Sequence, residues 1–107
     1  MEIINCDDYF GWFVGKFKPT LIYSNDLEFG YKRIPKNTEP DFHYHKFKTE
    51  YTILLEGEIL CKSINKIIRP ISCIKMNPHE KNDQFYKEDS LILVINTPSV
   101  MGDKYTD

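Results

Sequence analysis

The side chains of this 107-residue sequence best suited to chemistry are two histidines one residue apart, His43 and His45, followed by Glu50. In an extended strand, residues i and i+2 point to the same face with side chains roughly 7 Å apart, so two imidazoles can grip a single ion. Glu50, Thr52 and Leu54 share a face of the next extended stretch, and pairing that stretch with the histidine segment in register carries Glu50 to the same place. Two imidazoles and a carboxylate suit divalent iron, manganese, nickel, copper or zinc, and leave coordination positions open for water or substrate. Without a metal the same three groups suit proton transfer, because an imidazole titrates near neutrality and a carboxylate can orient it. A His-x-His pair alone is more often solvated or hydrogen-bonded than metal-binding, so its surroundings decide.

The elements that must position these residues read as strands. No stretch of 11 or more residues keeps helical periodicity, whereas short runs of β-branched and aromatic residues recur between turn residues. Residues 12–14, between Gly11 and Gly15, read as an edge or capping strand, with Trp12, Phe13 and Phe17 as packing residues. In 27–34, Leu27, Phe29, Tyr31 and Arg33 share one face. That puts Tyr31 and Arg33 forward as substrate-binding residues, a phenol and a guanidinium suited to a carboxylate or hydroxylated ligand, with Thr52 as the third. The extended segment 42–47 places Phe42 and Tyr44 opposite the histidines, as core. Strands at 51–55, 58–63, 67–68, 71–76 and 91–95 follow, with a turn at Glu56-Gly57 and a polar loop over 77–84. Seven or eight short strands imply an all-β sandwich or closed barrel.

Composition removes several function classes. Hydrophobic content of 41% with 28% charged residues is globular rather than disordered. The formal net charge is 14 minus 16, or −2, and no dense Lys/Arg run exists to track phosphates, so nucleic acid is not expected as a partner. The first residues lack signal-peptide blocks and no apolar run approaches the roughly 20 residues that span a bilayer, so a cytoplasmic protein without membrane contact is expected. Cys6, Cys61 and Cys73 are odd in number and form no C-x-x-C pair. They read as reduced structural thiols, with Cys61 and Cys73 buried.

His43-x-His45, four residues, Glu50, six residues, Gly57 resembles the first motif of the cupin superfamily, which runs Gly, five residues, His-x-His, three or four residues, Glu, six residues, Gly. Asn37 stands at the leading Gly, a mild departure because Asn tolerates a left-handed turn. The segments Gly11 to Gly15, Gly30 to Arg33, His43 to Lys46, Thr49-Glu50 and Pro98 to Tyr105 also look like a group of short, mostly uncharacterised single cupins. The resemblance implies a double-stranded β-helix (jelly-roll barrel) in one domain over 1–107, with 1–20 as an N-terminal capping segment and 97–107 as a C-terminal tail. It also implies a homodimer whose barrel mouth holds His43, His45 and Glu50. The second cupin motif is eroded: Ile71, Asn77 and His79 replace Gly, Pro and Gly, and Asn82 occupies the slot of the metal-binding His. Asn82 or His79 is therefore the candidate fourth ligand. Asp103-Lys104-Tyr105 reads as a solvated terminus or an inter-subunit contact.

Three functions fit a small-molecule ligand in such a pocket. The first is isomerisation or epimerisation of a sugar or nucleotide sugar, with His43, His45 and Glu50 as metal ligands or proton-transfer groups. His-x-His-Lys also resembles the nucleotide-sugar ketoisomerases, although those carry Gln rather than Glu downstream. The others are a non-catalytic binding or sensing role and an Fe(II)-dependent oxygenase.

Overall fold

The computed structural model describes residues 1–106. After a 3-10 turn, Cys6–Tyr9, come β1 (Trp12–Gly15), β2 (Ile22–Tyr23), β3 (Glu28–Ile34), β4 (Thr49–Glu56) and β5 (Ile59–Cys61). A second 3-10 turn, Lys62–Ile64, leads to β6 (Lys66–Ile68), β7 (Ser72–Met76), β8 (Gln84–Tyr86) and β9 (Ser90–Thr97). The strands make a six-stranded sheet, β2-β1-β3-β9-β4-β7, and a three-stranded sheet, β6-β5-β8. Leu54, Ile92 and Val94 from the first pack with Ile59, Cys61 and Tyr86 from the second, so one apolar core joins the sheets. Among the described residues no helix is long and apolar enough to cross a membrane.

Strand alternation sets what faces this interior. In β4 the buried residues are Glu50, Thr52 and Leu54; in β9 they are Ser90, Ile92, Val94 and Asn96; in β3 they are Glu28 and Gly30. The antiparallel registers align Glu28 with Asn96 and Asn96 with Glu50, then Gly30 with Val94 and Val94 with Thr52, then Lys32 with Ile92 and Ile92 with Leu54. The interior thus grades along the strands, from a polar row at one end to an apolar floor.

Several sequence expectations change. β1 is not an edge strand, because β2, a two-residue strand that the sequence reading passes over, pairs with it in parallel. The histidine segment is not a strand beside β4. Its one ladder contact is the bridge from Tyr44 to Tyr105, and β4 lies between β9 and β7. Phe42 is 55% exposed rather than core, and Cys73 is exposed on β7 while Cys61 is buried. β8 rises from the end of the expected polar loop.

The turn glycine does what its place in the motif requires. Gly57 has φ +105°, and a Cβ there would run into the Ser90 side chain. Asn37, standing where the motif has its leading Gly, has φ +68°. Gly57→Ala is expected to lower unfolding stability by about 2 kcal/mol or more, measured by urea denaturation, whereas Asn37→Gly leaves it within about 1 kcal/mol.

Candidate metal centre

The backbone around the histidines is held from three directions. The His43 carbonyl accepts from the Asn82 N–H at 2.9 Å and the His45 carbonyl from the His79 N–H at 2.7 Å, while Tyr44 and Tyr105 exchange backbone hydrogen bonds at 2.9 and 3.0 Å. Just beyond, the Asp103 carboxylate accepts the consecutive N–H groups of Lys46, Phe47 and Lys48, each at 2.9 Å. Three amides on one carboxylate outweigh the burial that would raise its pKa, and hold Asp103 below the ordinary 3.8. The terminal segment is therefore a structural part of the site, not the solvated end the sequence suggests: Asp103 is 2% exposed.

Each imidazole is then fixed through its Nδ1. His43 Nδ1–H donates to the Asp41 carbonyl at 2.8 Å, and His45 Nδ1–H donates to the Asp103 carbonyl. Anchoring Nδ1 on a carbonyl leaves Nε2 as the ring's free end, the arrangement that histidine metal ligands adopt. The two rings sit edge to face with centroids 5.1 Å apart, and Glu50 Oε1 lies 3.4 Å from His45 Nε2. One ligand atom from each of His43, His45 and Glu50 falls within 4.8 Å of the others, and all three residues are buried.

The electrostatics separate the two rings. Burial is the largest influence on His43 and pushes its pKa below 6.5, against the opposing pull of the Asp41 carbonyl and Glu50. Burial also disfavours charge on His45, but the Glu50 carboxylate and the Asp103 carbonyl together outweigh it and raise the pKa above 6.5. Glu50 is pushed up by burial and pulled down further by His45 and His43, so it stays ionised. The Glu50 carboxylate thus favours the protonated form of His45 and the burial of His43 its neutral form.

These groups open on a cavity of about 610 Å³, within the range of small-molecule sites. Thr52 and Asn82 line it, as the sequence suggests. Asn82 Oδ1, however, accepts from the Gln84 N–H at 2.8 Å. His79 does not line the cavity, and its ring lies 6.2 Å from that of Tyr44 on the far side of the histidine segment. Tyr31 and Arg33 also lie elsewhere, on the outer face of β3. Tyr31 packs 6.3 Å from Phe13, and Arg33 sits over the Tyr31 ring and 3.8 Å from Asp7. The face of β3 turned inward carries Glu28, Lys32 and Ile34. The sequence reading follows the more apolar face of β3 to the interior, and that rule fails here because the interior row at this end is polar. Lys48, Asn96 and Asp103 also escape it; a two-residue parity count from Glu50 and through 90–96 would have found Asn96, and nothing in the pattern marks Asp103.

No family model and no curated protein matches the sequence. Solved structures do. An uncharacterized conserved protein with a double-stranded β-helix domain from Klebsiella pneumoniae superposes with TM-score 0.70 at 14% identity, over 98% of this chain and 90% of that one. An RmlC-like cupin from Shewanella frigidimarina gives TM-score 0.64 at 15% identity, over 72% and 70%. A cupin-superfamily sugar phosphate isomerase from Silicibacter pomeroyi gives 0.55 at 18%, over 67% of this chain and 50% of that one. The fold is the cupin double-stranded β-helix.

Asp103→Ala strands three amides while keeping the backbone carbonyl that anchors the His45 ring, and is expected to cost about 3 kcal/mol, or about 12 °C in melting temperature. Because the folded pKa of Asp103 is depressed, its contribution is complete above the ordinary 3.8 and is lost as pH falls through the lower folded value. The gap between wild type and Asp103→Ala should therefore close in acid, and a gap constant from neutrality to pH 2 contradicts the assignment.

Proposed function

We propose that this protein is a metal-dependent enzyme that moves a proton between neighbouring carbons of a small polyoxygenated metabolite, a sugar or sugar derivative, in an isomerisation or epimerisation. The observation that carries the reading is the double anchoring of the imidazoles. With Nδ1 of both rings committed to backbone carbonyls, one ligand atom from each imidazole and one from the Glu50 carboxylate converge within 4.8 Å in a buried setting. That donor set fits a divalent transition metal held by His43, His45 and Glu50. Asn82 is engaged by Gln84, which favours a three-ligand centre with open positions over a closed structural one. A cupin-superfamily sugar phosphate isomerase is among the structural neighbours, which supports this reading.

His43, His45 and Glu50 would hold a divalent ion, which would polarise a substrate carbonyl oxygen and so acidify the C–H beside that carbonyl. This chain's own residues then hold the substrate and screen the site. Trp12, Phe17 and Met101 line the cavity wall and limit water, while Thr52 offers a hydroxyl next to Glu50 on the inner face of β4. Lys32, whose ammonium lies 5.5 Å over the Trp12 ring, adds a positive charge on the cavity side of β3.

Protein purified without added metal is expected to carry about one equivalent of a divalent transition metal, and His45→Ala to lose it while staying folded. Loading should weaken as pH falls through the raised His45 pKa, since that ring must release its proton to a metal. Incubation with aldoses and ketoses in deuterium oxide should place deuterium on the carbon next to the carbonyl. Retained metal with no exchange in any sugar removes the isomerase reading; iron with oxygen consumption transfers the site to oxygenase chemistry.

A further inference from the structure

The cavity holds a second buried polar cluster that the metal reading does not use. Lys48, Glu28 and Asn96 all line it, at 7%, 6% and 4% exposure. Glu28 Oε1 accepts from Lys48 Nζ at 2.8 Å and from Asn96 Nδ2 at 3.0 Å, and Glu28 Oε2 accepts from Ser99 Oγ at 3.1 Å. This arrangement fixes the Asn96 amide, because its nitrogen must face the carboxylate. Its Oδ1 is then left buried with no hydrogen-bond partner, a condition that destabilises a fold unless something is bound there. An ammonium carries three N–H donors, and only one of those on Lys48 is committed to Glu28.

The cluster therefore presents donors and an acceptor side by side, with the Lys48 charge balanced by Glu28. A group that both accepts and donates, a neutral hydroxyl, matches that pattern; a carboxylate or phosphate would meet no net charge and an unmatched acceptor. The ladder fixes the reach. Asn96 stands between Glu28 and Glu50, so the cluster begins one strand spacing from Glu50, roughly 5 Å, and extends to two, roughly 10 Å, at Glu28. A chain of several oxygen-bearing carbons bridges that gap and a two-carbon acid does not.

We propose that Lys48 and Asn96 form a second subsite that binds a neutral hydroxyl of a polyhydroxylated substrate whose other oxygens lie at the triad, an inference that rests on the triad being a metal centre. Lys48 and Asn96 are then specificity-determining residues, and Glu28, which bonds to both, positions them.

The test uses the full chain loaded with Zn(II) and titrated calorimetrically with glycolate, glycerate and gluconate. All three offer a metal the same carboxylate and neighbouring hydroxyl, and only gluconate is long enough to span the cluster as well. Wild type should bind gluconate tenfold or more tighter than glycolate. The paired variant Lys48→Met/Glu28→Gln, which removes both charges together, should lose that gain and keep its glycolate affinity and zinc content. Ser99→Ala, which loosens the cluster without touching the cavity, should melt lower yet keep the gain. If the paired variant does not fold, the near-isosteric Asn96→Leu carries the same expectation. Zinc retained with no gain along the series, or a gain untouched by these variants, overturns the subsite and leaves the metal centre standing. Gluconate binding that depends on Lys48 but not on zinc supports the subsite and removes the metal centre instead. No binding of any of the three acids overturns the subsite.

Discussion

The grip of the Asp103 carboxylate on the amides of Lys46, Phe47 and Lys48 is the constraint on which the candidate site depends. The histidine segment is not built into a sheet, so no ladder fixes its path. A carboxylate satisfying three successive N–H groups shares that work with the backbone bonds from Asn82, His79 and Tyr105, and the carbonyl of the same residue sets the rotation of the His45 ring. Backbone N–H groups near the barrel mouth would otherwise need water, and hydrogen bonds to a charged acceptor are about twice as strong as neutral ones. Tyr105 stacks on Tyr44 at 5.5 Å and Lys46 lies 4.2 Å above the Tyr105 ring, so the outer side of the same junction is closed by aromatic contact. One end of the chain thus shapes the site from behind.

The second organising fact is the gradient along the interior. Leu54 and Ile59, fully buried, sit at the apolar end, and Glu50, Asn96 and Glu28 form one row across β4, β9 and β3 at the other. The same two-residue alternation delivers both, so each strand contributes floor and mouth in a fixed order. Buried charge at the mouth is tolerated because it is paired: Lys48 with Glu28 at 2.8 Å, and His45 with Glu50 at 3.4 Å. Such pairs add little net stability compared with apolar packing, and breaking one by removing a single partner costs far more than the pair contributes.

Much of this was legible in the sequence, and the failures share a cause. The spacing of His43, His45, Glu50 and Gly57 named the fold, and the three side chains it singled out do lie together, with one ligand atom of each within 4.8 Å of the others. The side of β3 was misread: an amphipathic strand is expected to bury its apolar face, and Phe29 and Tyr31 instead pack against Phe13 outside while Glu28 and Lys32 turn inward. Asp103 was missed for a different reason. Its role joins residues 55 to 57 positions apart, and no periodicity within one segment reports a contact of that range.

The eroded second motif takes on a different meaning once the geometry is known. Asn82 stands where the cupin pattern has a histidine, and its side chain is turned to the Gln84 amide while its own N–H holds the His43 carbonyl. It therefore supports a ligand rather than being one. A fourth imidazole would occupy a coordination position that a substrate oxygen can use here, and a three-residue centre exposes more of an ion's charge to whatever enters the cavity. In the proposed metal centre, absence of that histidine would lower the affinity for a metal and raise the share of its coordination left to the ligand. A half-complete motif is consistent with a centre whose remaining positions are filled by what it acts on.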